Sequence, residues 1–148
     1  MKISIVNSQK KVRLNLERIK NTALAALSFL DEKDAELSVY VVDDVEIKNL
    51  NYCYLGKERA TDVLAFSMRE GQKLKGGEGI LGDVVISAET AVSQARRYAK
   101  DTIDEIELYL IHGILHLVGY DDGSLKAKKK MFDVQDKILK LVMDKRGK

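Results

Sequence analysis

The chain's two histidines, His112 and His116, lie four residues apart in the segment H-G-I-L-H-L-V-G-Y-D-D that runs from His112 to Asp122. In an α-helix of 3.6 residues per turn, positions i and i+4 share a face, so the two imidazoles project together, one turn apart. Gly119 follows them. A glycine tolerates positive φ and lets the chain turn back, which brings Asp122 round to face the pair. Two imidazoles and a carboxylate form a donor set suited to zinc, with a fourth position left for water, as in catalytic rather than closed structural sites. The expected metal ligands are therefore His112, His116 and Asp122, holding one Zn2+ ion. Asp121 is the competing acid, and whichever carboxylate is not a ligand can hold a histidine in its tautomer from behind. Spacing favours Asp122. Such an ion acidifies its water and polarises a phosphoryl or carbonyl oxygen, so the expected chemistry is hydrolysis. The plainer alternative is a pair of core histidines bonded to backbone or carboxylates, since a buried imidazole needs a polar partner. The spacing and the trailing glycine and acid favour the metal.

The order His, three residues, His, two residues, Gly, two residues, acid is close to the long zincin motif of metalloproteases. One position departs from it. The general-base glutamate expected directly after the first histidine is Gly113, which has no side chain to take a proton.

With 148 residues, 45% of them hydrophobic and 32% charged, the chain fits one compact domain spanning 1–148. A net charge of +2 does not declare a nucleic-acid binder, so any basic patch must be local. The single cysteine, Cys53, cannot form an internal disulfide, which is compatible with a reducing compartment. The opening stretch is too short and polar for a signal peptide, and no apolar run approaches the roughly 20 residues of a membrane span. A soluble, cytoplasmic protein without membrane contact is expected.

Several elements must position the histidines. K-I-S-I-V-N at the start alternates like a strand, with Asn7-Ser8 as a helix cap after it. Residues 9–30 carry Val12, Leu16, Ile19, Ala23, Ala26, Leu27 and Leu30 at helical spacing. Residues 36–42 read as a second strand, and Asp43-Asp44 caps a helix that Gly56 ends. Strands are expected over 61–67 and 80–86, separated by a glycine-rich loop, 69–79, that suits a lid or substrate contact. Strand, loop, strand without a helix implies an antiparallel pair in a mixed sheet of about four strands. Ser87 caps a helix with Ala91, Ala95 and Tyr98 inward. The histidine helix covers 101–118, begins with a capping box from Thr102 to Glu105, and is apolar enough to be buried on most faces. A last helix runs to about residue 146, with Leu125, Phe132, Ile138, Leu139, Leu141 and Val142 as candidate packing residues.

Three blocks together resemble the YbeY family of metal-dependent single-strand endoribonucleases that mature bacterial ribosomal RNA. They are H-G-I-L-H-L-V-G-Y-D from His112 to Asp121, L-N-Y-C-Y-L-G-K-E-R-A-T-D-V-L-A-F from Leu50 to Phe66, and L-G-D-V-V-I-S from Leu81 to Ser87. The resemblance spans most of the chain and implies an α+β, zincin-like fold, with a mixed sheet packed against helices and the metal-site helix in the C-terminal part. It implies a zinc-dependent endoribonuclease (a hydrolase) acting in maturation of the small-subunit rRNA 3' end and in ribosome quality control, with RNA and the small ribosomal subunit as partners. Two positions depart from the family pattern. Its third histidine ligand is Asp122 here, still a ligand type zinc accepts, and its arginine before the glycine is Leu55. Lys57 or Arg59 is then the candidate for meeting the RNA phosphate, and His112 and Arg59 are the candidate catalytic residues. Asp62 and Asp83 fall in matching blocks, where a strand-start hydrogen bond and a turn are their plain roles.

Further RNA-contact candidates are Arg96, Arg97, Lys73, Lys75 and the cluster Lys126, Lys128, Lys129 and Lys130, of which Lys126 stands nearest the metal motif. Competing functions are a non-enzymatic, metal-stabilised ribosome-assembly factor and a metal hydrolase for another substrate such as peptide. Gly113 argues against the peptidase.

Overall fold

The computed structural model describes residues 2–68 and 79–146. The chain runs β1 (Lys2–Asn7), α1 (Leu16–Phe29), β2 (Glu36–Val42), α2 (Asp44–Leu55), β3 (Val63–Ser67), β4 (Ile80–Ser87), α3 (Ala88–Arg97), α4 (Thr102–Leu117) and α5 (Leu125–Arg146). The four strands form one mixed sheet in the order β1-β2-β4-β3. β1, β2 and β4 are parallel, while β3 runs antiparallel to β4, as a connection without a helix requires. The expected α+β architecture and the mixed four-stranded sheet are both present.

Alternation along the strands gives the sheet two faces. Leu37, Val39 and Val41 of β2 and Leu81, Val84 and Ile86 of β4 point into the main core with α1, α4 and α5. Val42, Val85 and Leu64 point the other way, into a smaller cluster closed by Ile47 of α2. α4 is the central helix, with Ile106, Leu110, Ile111, Ile114 and Leu115 fully buried. It lies close to the strands because of two glycines. A Cβ on Gly113 would come within 2.7 Å of Val84 and 3.2 Å of Val63. On the strand side, Gly82 has φ of +151°, and a Cβ there would meet the Phe66 carbonyl oxygen at 2.3 Å and Leu117 at 2.9 Å. Gly82 follows the register irregularity at Glu36/Leu37, where β2 passes from Ile80 to Gly82.

The N-terminal half of α4 buries two carboxylates. Glu105 is paired with Lys100 at 2.7 Å. Glu107 receives Arg18 through Nε at 3.1 Å and Nη2 at 2.7 Å, Arg146 through both terminal nitrogens, and the Thr22 hydroxyl. Burial alone would push the Glu107 carboxyl up, but the hydrogen bonds from Arg146, Thr22 and Arg18 outweigh it and hold it below the usual carboxylate range. Arg18 also reaches Asp104, so one cluster ties α1, α4 and α5 together.

Several boundaries differ from expectation. α1 begins at Leu16, not at residue 9: Gln9 folds its amide back onto Asn7, Val12 N and Val12 O, and the helix cap is Asn15, which accepts from Arg18 N at 3.1 Å. The capping box from Thr102 to Glu105 does not form. The helix starts one residue earlier: Asp101 is the cap residue, without a side-chain cap bond, Glu105 N–H donates to Asp101 O, and the Glu105 side chain pairs with Lys100. β3 starts at Val63, since Asp62 Oδ1 accepts the Val63 N–H and ends the preceding turn. Tyr98 and Leu125 are exposed rather than packed, and Arg97 covers the Tyr98 ring. Asp83 is not in a turn but within β4. It borders an apolar groove with Tyr40, Phe66 and Val85, and burial raises its carboxyl. The caps at Asp43 and Ser87, and the left-handed Gly56 that closes α2, are as the sequence implies.

Candidate active site

His112 and His116 lie on the C-terminal half of α4, both half-buried, and their rings meet edge to face with centroids 4.7 Å apart. Their Nε2 atoms are 3.1 Å from one another. The orientation of His112 comes from α5: Gln135 Oε1 stands 2.9 Å from His112 Nδ1, so Nδ1–H donates to the amide oxygen and Nε2 is left with its lone pair towards His116. Burial, and then the neighbouring His112, lower the His116 pKa, partly offset by Asp122, a backbone hydrogen bond to Tyr120, and Asp121. His116 is therefore neutral at pH 7, the state in which an imidazole is a ligand or a base. Two ligand nitrogens held at about 2.0–2.1 Å from one tetrahedral ion stand roughly 3.3 Å apart, so this pair has the spacing to share one.

After Leu117 the helix closes as the glycine implies. Gly119 takes φ of +105°, Gly119 N reaches His116 O, and Tyr120 N reaches Leu115 O. Asp121 and Asp122 then lie exposed in the turn. Asp121 Oδ1 accepts from Gly123 N at 3.1 Å and so braces the turn. Among the described residues, no group of three His, Cys, Asp or Glu side chains is gathered closely enough to hold a metal ion, so the assembled part of the expected donor set is the imidazole pair.

A groove of about 460 Å³ opens beside His116. Leu55, Lys57, Arg59, Thr61, Val63 and Leu117 are among its walls, so Lys57 and Arg59, the two phosphate-contact candidates, line the same groove as His116. The 57–59 turn is held by Asn51, a buried residue lining the groove, whose side-chain Nδ2 donates to Arg59 O at 3.0 Å and whose backbone carbonyl accepts from Lys57 N. Lys126 is not part of this groove and stays exposed in the first turn of α5. Arg96 and Arg97 border a separate depression with Lys11 and Glu89. Lys73, Lys75 and most of the expected lid loop lie outside the described residues.

Gly113 turns out to face the sheet. A side chain at that position would run into Val84 and Val63, so the protease-like glutamate has no room here, rather than merely being absent. Two residues that serve the site, Gln135 and Asn51, are not among the candidates the sequence offers. Gln135 sits on the buried stripe Met131, Gln135, Ile138 and Val142, and its signal was a polar residue at a core position. Asn51 gave no such signal. Phe132, expected in the core, is 40% exposed, and its ring lies 6.5 Å from that of His112.

A histidine-bearing helix laid across a mixed sheet is the zincin-like class of α+β fold. Residues 4–143 match the family model described as Endoribonuclease YbeY. Proteins named Endoribonuclease YbeY are similar to this chain: that of Aquifex aeolicus is 44% identical over 123 residues, 83% of this chain and 80% of its own length, and that of Geobacter metallireducens 34% identical over 148 residues, 99% of each. The solution structure of TM1509 from Thermotoga maritima superposes with a TM-score of 0.66 at 27% identity, covering 97% of this chain and 90% of that one. The chain belongs to the YbeY endoribonuclease family.

Proposed function

We propose that this chain is a zinc-dependent endoribonuclease that cuts single-stranded RNA, acting on ribosomal RNA in maturation of the small-subunit 3' end and in ribosome quality control, in the cytoplasm. The observation that carries the reading is the imidazole pair, Nε2 to Nε2 at 3.1 Å, beside a groove that also holds Lys57 and Arg59. Family membership supports the choice of RNA over peptide.

In this reading His112 and His116 hold the ion, and Asp122, on the turn that Gly119 closes, completes the set. The chemistry zinc supplies when bound is Lewis-acid polarisation of a phosphoryl oxygen and acidification of water. The protein's own residues do the rest. Gln135 fixes the His112 tautomer, so that Nε2 carries the lone pair, and restricts the ring's rotation. Arg59 and Lys57 bind the phosphate and offset charge that grows on its oxygens. Leu55, Val63 and Leu117 give the groove an apolar wall beside those cations. Gly113 leaves the helix without a built-in carboxylate base.

The test is cleavage of end-labelled single-stranded RNA by purified protein of known zinc content, with and without a chelator. Cleavage that disappears on chelation and returns with zinc supports the reading. A zinc-loaded protein that leaves both free RNA and ribosomal particles intact overturns it. Arg59→Ala is expected to cut the rate by about ten- to a thousandfold with little loss of stability, since the side chain is exposed. Asp122→Ala is expected to weaken zinc binding, measured by competition with a chromogenic chelator.

A further inference from the structure

α5 passes the histidine pair with more than Gln135. Phe132 is three residues before Gln135 and Lys128 four before Phe132, so the three share one side of the helix. Gln135 is the buried end of this row, bonded to His112. Phe132 is its half-open middle, 40% exposed, with its ring 6.5 Å from the His112 ring and inclined to it by 38°. Lys128 is its outer end, with Nζ 5.8 Å from the centre of the Phe132 ring. Phe132 is thus a large apolar side chain left at the surface directly beside the site. The core is already closed without it by Met131, Ile138 and Val142.

We propose that Phe132 and Lys128 form a subsite for one unpaired nucleobase of the RNA strand and the phosphate attached to it. The inference rests on the ribonuclease reading of the histidine pair and adds a binding element to it. Every base has a π face that can stack on an aromatic ring, so such a platform selects for an unpaired nucleotide without selecting its sequence. The Lys128 ammonium now occupies the ring. Its flexible stem lets it move to the neighbouring phosphate when a base takes its place. The groove with Arg59 and Lys57 is lined by His116, and this ledge stands beside His112. In this proposal a strand that reaches from groove to ledge passes the imidazole pair. A paired base is already stacked within its helix and cannot use the ledge, so the subsite discriminates against duplex.

The test measures binding of a fluorescently labelled single-stranded RNA decamer to chelated, full-length protein by anisotropy, so that no cleavage intervenes. Phe132→Leu, which keeps an apolar side chain and loses the π face, is expected to weaken binding about five- to hundredfold, while Phe132→Trp binds at least as tightly as the parent. Lys128→Ala is expected to lower the slope of log affinity against log salt by about one. In cleavage assays with zinc, the loss for Phe132→Leu falls on single strands and not on residual cutting of duplex. If Phe132→Leu binds single strands like the parent while the parent binds and cleaves them, the subsite is overturned and the ribonuclease reading stands. Equal loss on single strands and duplex overturns the stacking role. If the parent neither binds nor cleaves RNA, both fall.

Discussion

The two halves of α4 carry their polar side chains in opposite ways. In the first half, Glu105 and Glu107 are buried and fully answered: Lys100 pairs with one, and Arg18, Arg146 and Thr22 converge on the other. In the second half, His112 and His116 turn their Nε2 atoms towards each other, and the partners they have, Gln135 and the Tyr120 backbone, sit behind them. Charges that neutralise one another within the chain hold helices together. Ring nitrogens turned towards one point, with other partners bonded to the rings, are placed to share something the chain does not itself supply. The same helix therefore carries a structural anchor and a chemical site about two turns apart, and the direction of the free atoms, rather than burial, separates them.

Substitutions at the two ends test that separation. The largest effect is expected from His116→Ala, which should reduce RNA cleavage by about a thousandfold or more, at about 1.4 kcal/mol per tenfold, and change unfolding free energy by only about 1 kcal/mol. Rate assays and urea titrations on the same sample read both quantities. A large stability loss would make the pair a structural feature like its neighbour. Glu107→Ala should reverse the pattern, costing about 3–5 kcal/mol because two arginines lose their shared partner, with cleavage retained at temperatures where the variant is folded.

Between these lies Gly113→Ala, where the added methyl meets Val84 and forces α4 off the sheet, at about 1–3 kcal/mol by denaturant titration. Asn15→Ala, which removes only the α1 cap, is expected to cost about 1 kcal/mol.

Acid gives a graded version of the same contrast. Because the folded-state value of Glu107 is lowered, its contribution is fully present above about pH 4.5 and is lost as pH falls through the lower folded value. Glu107→Gln should flatten that part of the stability profile, and a profile that keeps the parent's slope would place the acid sensitivity elsewhere.

What the sequence made legible was whatever depends on spacing along one element. The four-residue interval fixed the common face of His112 and His116, Gly119 marked the turn, and the strand-loop-strand order at β3 and β4 gave the antiparallel pair. Periodicity reports burial and not hydrogen bonding, which is why it extends α1 too far: Val12 does pack against the core, but its N–H is taken by the Gln9 side chain instead of a helical carbonyl. The capping box at Thr102 does not form because the helix begins one residue sooner, with Asp101 as cap and the Glu105 N–H already bonded to Asp101 O. On α5, the packed face passes through Met131 and Gln135, which leaves Phe132 turned outward. A hydropathy pattern assigns those two residues the other way round, since it places a glutamine outside and a phenylalanine inside. Tertiary context decided both, and both bear on the site.

The close seating of α4 has a further consequence. At Gly113 the backbone of α4 rests directly on the Val84 and Val63 side chains, and at Gly82 the backbone of β4 rests on the Leu117 side chain, so only one layer of side chains separates helix from strands. The height of the imidazoles above the strands is thus set by that single layer, in which the β-branched Val63 and Val84 are stiff about χ1 and act as a shim of fixed thickness. Repacking elsewhere in the core can change how firmly the domain holds together, but it has no easy means of retuning where the histidines stand. Variation in such a protein must then enter through what surrounds the pair, the turn after Gly119 and the outer face of α5, while the mounting stays fixed.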